Sequence, residues 1–227
     1  MSIRVTQDYE AYIKYPKHKK WFNKLRVAEM MGYDCGPSGI APTKTGKYIV
    51  RPIMNISGMG VGARVQHMEK GEEKTVEAGY FWCEYFEGVH YTANYRFVSG
   101  LRPFWEPKNC WRGYNDEKEL FRFHRWERVD TIDAPRVPRE FNELSDVHCI
   151  NVEFKGDKPI EVHLRVSQDP DYDIMIPVWK SWPFGVRQHK EFEGYTYIES
   201  YDDADGQLED PRPVSYTHLT LPTTPYV

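Results

Sequence analysis

Residues 149–166, CINVEFKGDKPIEVHLRV, alternate apolar and polar side chains on both sides of a single Gly-Asp-Lys turn. Ile150, Val152 and Phe154 interleave with Asn151 and Glu153, while Ile160, Val162, Leu164 and Val166 interleave with Glu161, His163 and Arg165. Successive strand side chains point to opposite faces, so this pattern predicts a hairpin with one apolar and one polar side. A three-residue loop, Gly156-Asp157-Lys158, sets Glu153 opposite Glu161 and Asn151 opposite His163. A two-residue loop throws the two glutamates to opposite faces. Carboxylates opposed across a ladder repel unless a cation sits between them, and hard divalent ions take carboxylate oxygens together with phosphates. The competing reading is a solvated polar face on which Arg165 relieves the charge. The residues alone leave both open.

Weaker patterns mark the other elements. Trp21, Leu25 and Ala28 recur at i, i+4 and i+7, predicting a helix over 17–31 that Gly32 stops. After the turn-rich DCGPSGIAPTKTGK, strands are expected over 47–53, 79–86 and 90–98, with an exposed hairpin turn at 70–74. Residues 100–133 mix Pro, Trp and Arg without a period. A helix is expected over 138–147, with Phe141 and Leu144 inward. ESYDDADGQLED reads as solvated chain, and the last segment, VSYTHLTLPTTPYV, reads as translated adaptor sequence outside the fold.

Composition narrows the function classes. With 40% hydrophobic residues among 227, the chain can bury a core. No apolar run approaches the roughly 18 residues of a membrane span, and MSIRVTQDYEAY lacks the blocks of a secretion signal. Cys35, Cys83, Cys110 and Cys149 are widely spaced with no zinc pattern, which points to separate thiols in a reducing, cytoplasmic setting. A net charge of −4 and a pI of 6.1 argue against a purely electrostatic nucleic-acid binder. Locally, YIKYPKHKKWFNKL interleaves Lys14, Lys17, Lys19, Lys20 and Lys24 with Tyr12, Tyr15, Trp21 and Phe22, a mixture that can grip phosphates and stack bases. The commoner explanation is a basic helix with a buried aromatic face.

After the strand YIVRP comes a loop with Ser57, Gly58, Gly60 and Gly62, whose backbone N–H groups could wrap phosphates. No Lys-Ser/Thr pair follows and no helix clearly follows, so neither the P-loop nor the dinucleotide fingerprint applies. An ordinary hairpin turn explains isolated glycines as well.

The order of the pieces says more than any one of them. Lys24 in FNKL, Arg51 in YIVRP, the loop SGMGVG, the strand CEYFEGVHY, then NVEF and EVHLR resemble the ATP-grasp family over residues 21–165. The resemblance implies an α+β fold in which two small sheet-containing lobes clamp ATP, in a short form without the family's usual amino-terminal substrate domain. It divides the chain into an N-terminal lobe over 1–98, a C-terminal lobe over 99–198 and a tail over 199–227.

The same resemblance assigns roles. Lys24 and Arg51 match the cations that hold the ATP phosphates, and Ser57, Gly58, Gly60 and Gly62 match the loop that closes over them. Glu84, Tyr85 and Phe86 match the linker that reads adenine, and His90 stands at the ribose-binding position. Glu153, Glu161 and His163 match the Mg²⁺ ligands, and Arg165 matches the catalytic arginine beside the transferred phosphoryl group. Two departures carry chemistry. Arg51 spreads a charge that the family concentrates on Lys, and His163 offers nitrogen where Mg²⁺ prefers oxygen. The implied activity is an ATP-dependent carboxylate ligase, joining a small-molecule or peptide carboxylate to an amine or thiol through an acyl phosphate. The alternatives are a nucleic-acid-binding protein acting through the basic-aromatic segment, and a catalytically inactive nucleotide-binding relative.

Overall fold

The computed structural model describes residues 7–54, 62–115, 120, 123–167, 173–178 and 196–199. The first element is a short helix, α1 (Asp8–Lys14), where the Glu10 carboxylate accepts the Gln7 N–H at 3.0 Å and closes the first turn. The single helix expected over 17–31 is broken. Pro16–Phe22 forms a 3-10 helix, and α2 (Lys24–Met30) starts afresh at Asn23, whose side chain accepts the Arg26 N–H at 3.0 Å. The apolar stripe splits because it serves two cores. Trp21 and Phe22 join the core of one sheet, while Leu25 and Ala28 pack with Phe81 and Cys83 of another. Gly32, at φ 72°, ends α2 as expected.

The first sheet contains β1 (Cys35–Gly36), β2 (Gly46–Pro52), β3 (Arg64–Met68) and β4 (Tyr80–Glu84), ordered β1-β4-β2-β3 and antiparallel throughout. Alternation along β2 sends Tyr48 and Val50 to a core with Met68, Val76 and Trp82, and turns Ile49 toward Leu25 and Phe81. The turn around Gly71 is exposed, but β3 and β4 both pair with β2. It is therefore a crossing connection and not the expected hairpin turn. Ser57, Gly58 and Gly60 lie outside the described residues. Gly62 stands just before β3 at φ 84°, where a Cβ would run into Tyr80 Oη.

Residues 85–89 lead into the second sheet: β5 (His90–Val98), β6 (Phe104–Asn115), β7 (Phe123–Val129), β8 (Cys149–Lys155), β9 (Lys158–His163), β10 (Ile174–Val178) and β11 (Thr196–Glu199). Their order is β11-β10-β7-β6-β5-β8-β9, antiparallel except for the β10–β11 pair. The fold is α+β. The strand at 90–98 is found where expected, but in the second sheet, so the change of sheet falls at the 85–89 connection.

Residues 100–133, which have no readable period, carry the β6–β7 hairpin. The reason is local irregularity. Asn94 faces Asn109 and Tyr95 faces Pro107, so Lys108 is an extra residue, and a second slip between Tyr114 and Asn115 leaves His124 over. Each bulge inverts the alternation, and a bulge is also where a central strand tolerates a proline. The helix expected over 138–147 is a 3-10 helix, Arg139–Leu144, with Phe141 and Leu144 fully buried as anticipated. They cover the apolar face of β8, where Ile150, Val152 and Phe154 are fully buried against Ala93, Tyr95 and Trp21.

The hairpin itself follows a different route to the expected register. Its turn is the two-residue Gly156-Asp157, with Lys155 opposite Lys158 and Phe154 opposite Pro159. A bulge between Glu153 and Phe154 makes Ile160 the extra residue, which restores Glu153 opposite Glu161 and Asn151 opposite His163. The bulge does the work assigned to a third loop residue. Gly156 takes φ 59°, as the two-residue turn requires.

Candidate functional site

The polar face of the second sheet is laid out in rows. Glu161, Glu153, Thr92, Trp111 and Arg128 lie opposite one another across β9, β8, β5, β6 and β7. One row away run His163, Asn151, Asn94 and Asn109, and on the other side Lys155, His90, Gly113 and Trp126. The asparagine row is sewn together: Asn151 Nδ2 donates to Thr92 Oγ1 at 3.0 Å and Asn94 Oδ1 at 3.1 Å, and Asn94 Nδ2 donates to Asn109 Oδ1 at 2.7 Å. Satisfied buried amides of this kind stiffen the floor on which the charged groups stand.

Three elements close over β9. From α2, the buried Lys24 Nζ stands 2.9 Å from Glu161 Oε2. From β2, Arg51 Nη2 donates to the Ile160 carbonyl at 2.9 Å. Ile160 is the bulged residue, so Arg51 serves an acceptor that the ladder leaves over, while its guanidinium lies 5.3 Å over the Phe81 ring. From α1, Asp8 accepts from Arg165 Nε at 2.8 Å and Nη2 at 2.9 Å, and its Oδ1 is 3.1 Å from His163 Nδ1. The other ring nitrogen, His163 Nε2, is 3.5 Å from Glu161 Oε1.

Glu153, Glu161 and His163 each offer a donor atom, and these atoms lie within 4.8 Å of one another. The three residues predicted as ligands are thus one cluster. Two carboxylates suit a hard ion such as Mg²⁺, and the imidazole departs from that preference. The electrostatics are strongly coupled. Burial works to raise the Glu153 carboxyl, but His90, His163 and Lys24 outweigh it and hold it well below the usual carboxylate range. Burial likewise opposes ionisation of Asp8, and His163 and Arg165 drive its carboxyl down in spite of it. For His163 burial lowers the imidazole, yet the Asp8 charge prevails and raises it.

His90 is drawn into the same cluster, with Nε2 3.3 Å from Glu153 Oε2 and its ring edge-on to Phe123 at 4.9 Å and Trp126 at 5.5 Å. The linker residues lie between the sheets. The Glu84 N–H donates to Asp34 O at 2.8 Å and the Tyr85 N–H to Lys47 O at 3.0 Å, while Phe86 packs edge-on against Tyr33 at 4.6 Å. Tyr33 Oη in turn donates to Pro159 O at 3.2 Å, tying the linker to the hairpin.

Lys24, His90, Glu153, Glu161, His163 and Arg165 therefore converge, whereas Arg51 reaches the same strand only at the Ile160 carbonyl. Asp8 was not among the sequence candidates. It reads as a first-turn acid that favours a helix start, and no local signal says that it meets β9. The basic-aromatic segment is packed: Trp21 and Phe22 are buried, Phe22 meets Tyr12 edge-on at 5.3 Å, and Lys19 lies 4.6 Å over Tyr12. Its aromatic face is turned inward. Among the described residues no helix is long and apolar enough to cross a membrane.

No protein-family model matches the chain, and no curated protein matches it. Among solved structures it is similar to a protein assigned to the ATP-grasp superfamily from Archaeoglobus fulgidus (13% identity, TM-score 0.35, 66% of this chain and 47% of that one). It is also similar to an L-amino acid ligase from Bacillus licheniformis (11%, 0.38, 65% and 41%). A third similar structure is the ATP-grasp ligase PsnB with a minimal precursor (14%, 0.35, 72% and 54%). The chain spans about half the length of the solved chains it matches.

Proposed function

We propose that this chain is an ATP-dependent ligase of the ATP-grasp type, with the nucleotide held between the two sheets and a divalent ion on the β8–β9 hairpin. The observation that carries the reading is the buried Lys24 ammonium of the first lobe on Glu161, itself opposed by Glu153, with Arg51 of the same lobe bound beside it at the Ile160 carbonyl. Cations set beside a carboxylate pair are what a nucleotide polyphosphate with its metal requires. Glu153 and Glu161 would hold the ion, whose chemistry is to neutralise charge on the β- and γ-phosphates.

The chain's own residues supply the rest. Lys24, released from Glu161 by competition, and Arg51 grip phosphate oxygens, and the loop with Ser57, Gly58, Gly60 and Gly62 covers them. Phe86 packs on the adenine, since the backbone N–H groups of Glu84 and Tyr85 already have partners. His90, beside Glu153, would serve the ion-binding carboxylates, a departure from the ribose role that its position implies. Arg165, clamped by Asp8, lends positive charge to the transferred phosphoryl group from behind His163. In the reaction a substrate carboxylate oxygen attacks the γ-phosphorus as the bond to the β-phosphate oxygen breaks and ADP leaves. An amine or thiol then attacks the acyl carbon, expels phosphate and gives up its proton. Positioning and fixed charge account for the rate without a dedicated base.

The test is ATP consumption by the full chain against pooled small-molecule or peptide carboxylates with amines and thiols, followed by mass spectrometry. A condensed product formed with one ADP per bond is expected. ATP that fails to protect the chain from thermal unfolding, with no product in any pool, refutes the reading.

A further inference from the structure

His163 is held in the manner of a metal-ligating histidine. Its Nδ1 faces both oxygens of Asp8, at 3.1 and 3.2 Å, and Asp8 is itself fixed by two bonds from the buried Arg165. Both ring nitrogens face carboxylates, Nδ1 the two oxygens of Asp8 and Nε2 the Glu161 Oε1 at 3.5 Å, so an ion bound between Glu161 and Glu153 would displace the proton from Nε2 while Asp8 keeps the one on Nδ1. A carboxylate behind the ring is the arrangement that orients an imidazole toward an ion and raises its basicity. A second observation points into the same space. His90 is 7% exposed, Nε2 lies 3.3 Å from Glu153, and neither ring nitrogen is aligned in a hydrogen bond. A buried ring that meets Glu153 at this distance, with its other nitrogen unmet, leaves a place for the water that an ion on Glu153 carries.

We infer that Glu153, Glu161 and His163 bind a first-row transition ion through two oxygens and one nitrogen, in preference to Mg²⁺, with Asp8 as the residue that positions His163. Imidazole is a ligand that Mg²⁺ accepts poorly and transition ions accept well. The inference deepens the ligase reading, because this ion would accompany the nucleotide, but it is tested without nucleotide.

Mn²⁺ is the probe. The full chain is titrated with Mn²⁺ in competition with Mg²⁺, and the bound ion is examined by pulsed electron paramagnetic resonance. The expected result is one tight Mn²⁺ with modulation from a directly bound imidazole nitrogen. His163→Asn, which puts oxygen in place of nitrogen, should abolish that modulation and lower the Mn²⁺-to-Mg²⁺ affinity ratio about tenfold or more. Asp8→Asn should weaken Mn²⁺ by about 10- to 100-fold. Bound Mn²⁺ without nitrogen modulation, an unchanged ratio in His163→Asn, or no bound Mn²⁺ overturns the inference. If either variant fails to fold, the spectrum of the unaltered chain decides alone. Nitrogen-ligated Mn²⁺ in a chain that never consumes ATP would refute the ligase and leave the metal site standing. Mg²⁺-supported turnover without nitrogen modulation would do the reverse.

Discussion

Replacing Asp8 by alanine should cost the protein far more than a surface helix residue normally does. The Asp8 side chain is 15% exposed and accepts two bonds from Arg165, whose side chain is 3% exposed. Removing one partner of a buried pair strands the other charge, which costs about 3–5 kcal/mol. Arg165 keeps its bond from Nη1 to Val166 O at 3.0 Å, and α1 can fray to admit water, so the low end, about 3 kcal/mol, is the expectation. For a chain of this size that is a fall in melting temperature of roughly 6–12 °C. Urea unfolding followed by tryptophan fluorescence should show a lower midpoint with an unchanged slope. The double variant with Arg165→Met should lose less than the sum of the single losses, because the stranded charge is gone. A loss below about 1 kcal/mol, or strict additivity, would mean that α1 does not dock on β9 in solution.

Glu161→Gln should abolish turnover and also destabilise, since it removes the carboxylate 2.9 Å from the buried Lys24 ammonium; Glu153→Gln should do both as well, because it removes a charge that His90, His163 and Lys24 stabilise, and both variants are followed by calorimetry beside the ATP assay. Gly113→Ala should cost about 1–3 kcal/mol in urea unfolding, because its Cβ would stand 2.7 Å from Phe123 and 2.8 Å from Trp126, the rings that flank His90; a neutral substitution would mean that this aromatic cluster is loose. Burial pushes the Cys83 and Cys110 thiols from 9.0 up to about 12, so both should resist alkylation at pH 8 by mass spectrometry until urea unfolds the chain. Their sign in stability follows. The folded state keeps protons that the unfolded state releases, so this contribution is intact below pH 9.0 and falls as pH rises to about 12. A shallower fall across that range in the Cys83→Ala, Cys110→Ala background than in the parent is the expected contrast, because Cys35 and the buried tyrosines Tyr33, Tyr48 and Tyr95 are pushed up as well.

How much of the site was legible follows from how local each signal is. The opposition of Glu153 and Glu161 was readable because strand alternation has a period of two, so the apolar residues of β8 take one face and leave the polar ones together on the other. The means was not readable. A bulge at Ile160 replaces the third loop residue, and what stabilises it is a hydrogen bond from Arg51, a residue more than a hundred positions earlier. The β6–β7 hairpin was hidden for the same reason, since two bulges invert the alternation on which a strand reading depends.

By itself the amino-acid order determined the polar and apolar faces of the hairpin, the inward Phe141 and Leu144, the helix stop at Gly32 and the order of the candidate binding pieces. These rest on interactions between near neighbours in sequence, where periodicity and turn chemistry are enough. Only the tertiary structure decided that one apolar stripe would split between two cores, that Lys24 would be buried against Glu161, and that Asp8 would reach across to hold His163 and Arg165. Those contacts join residues far apart in the chain. Their stability comes from desolvating charges together, a quantity that exists only once three separate elements have closed over the same strand.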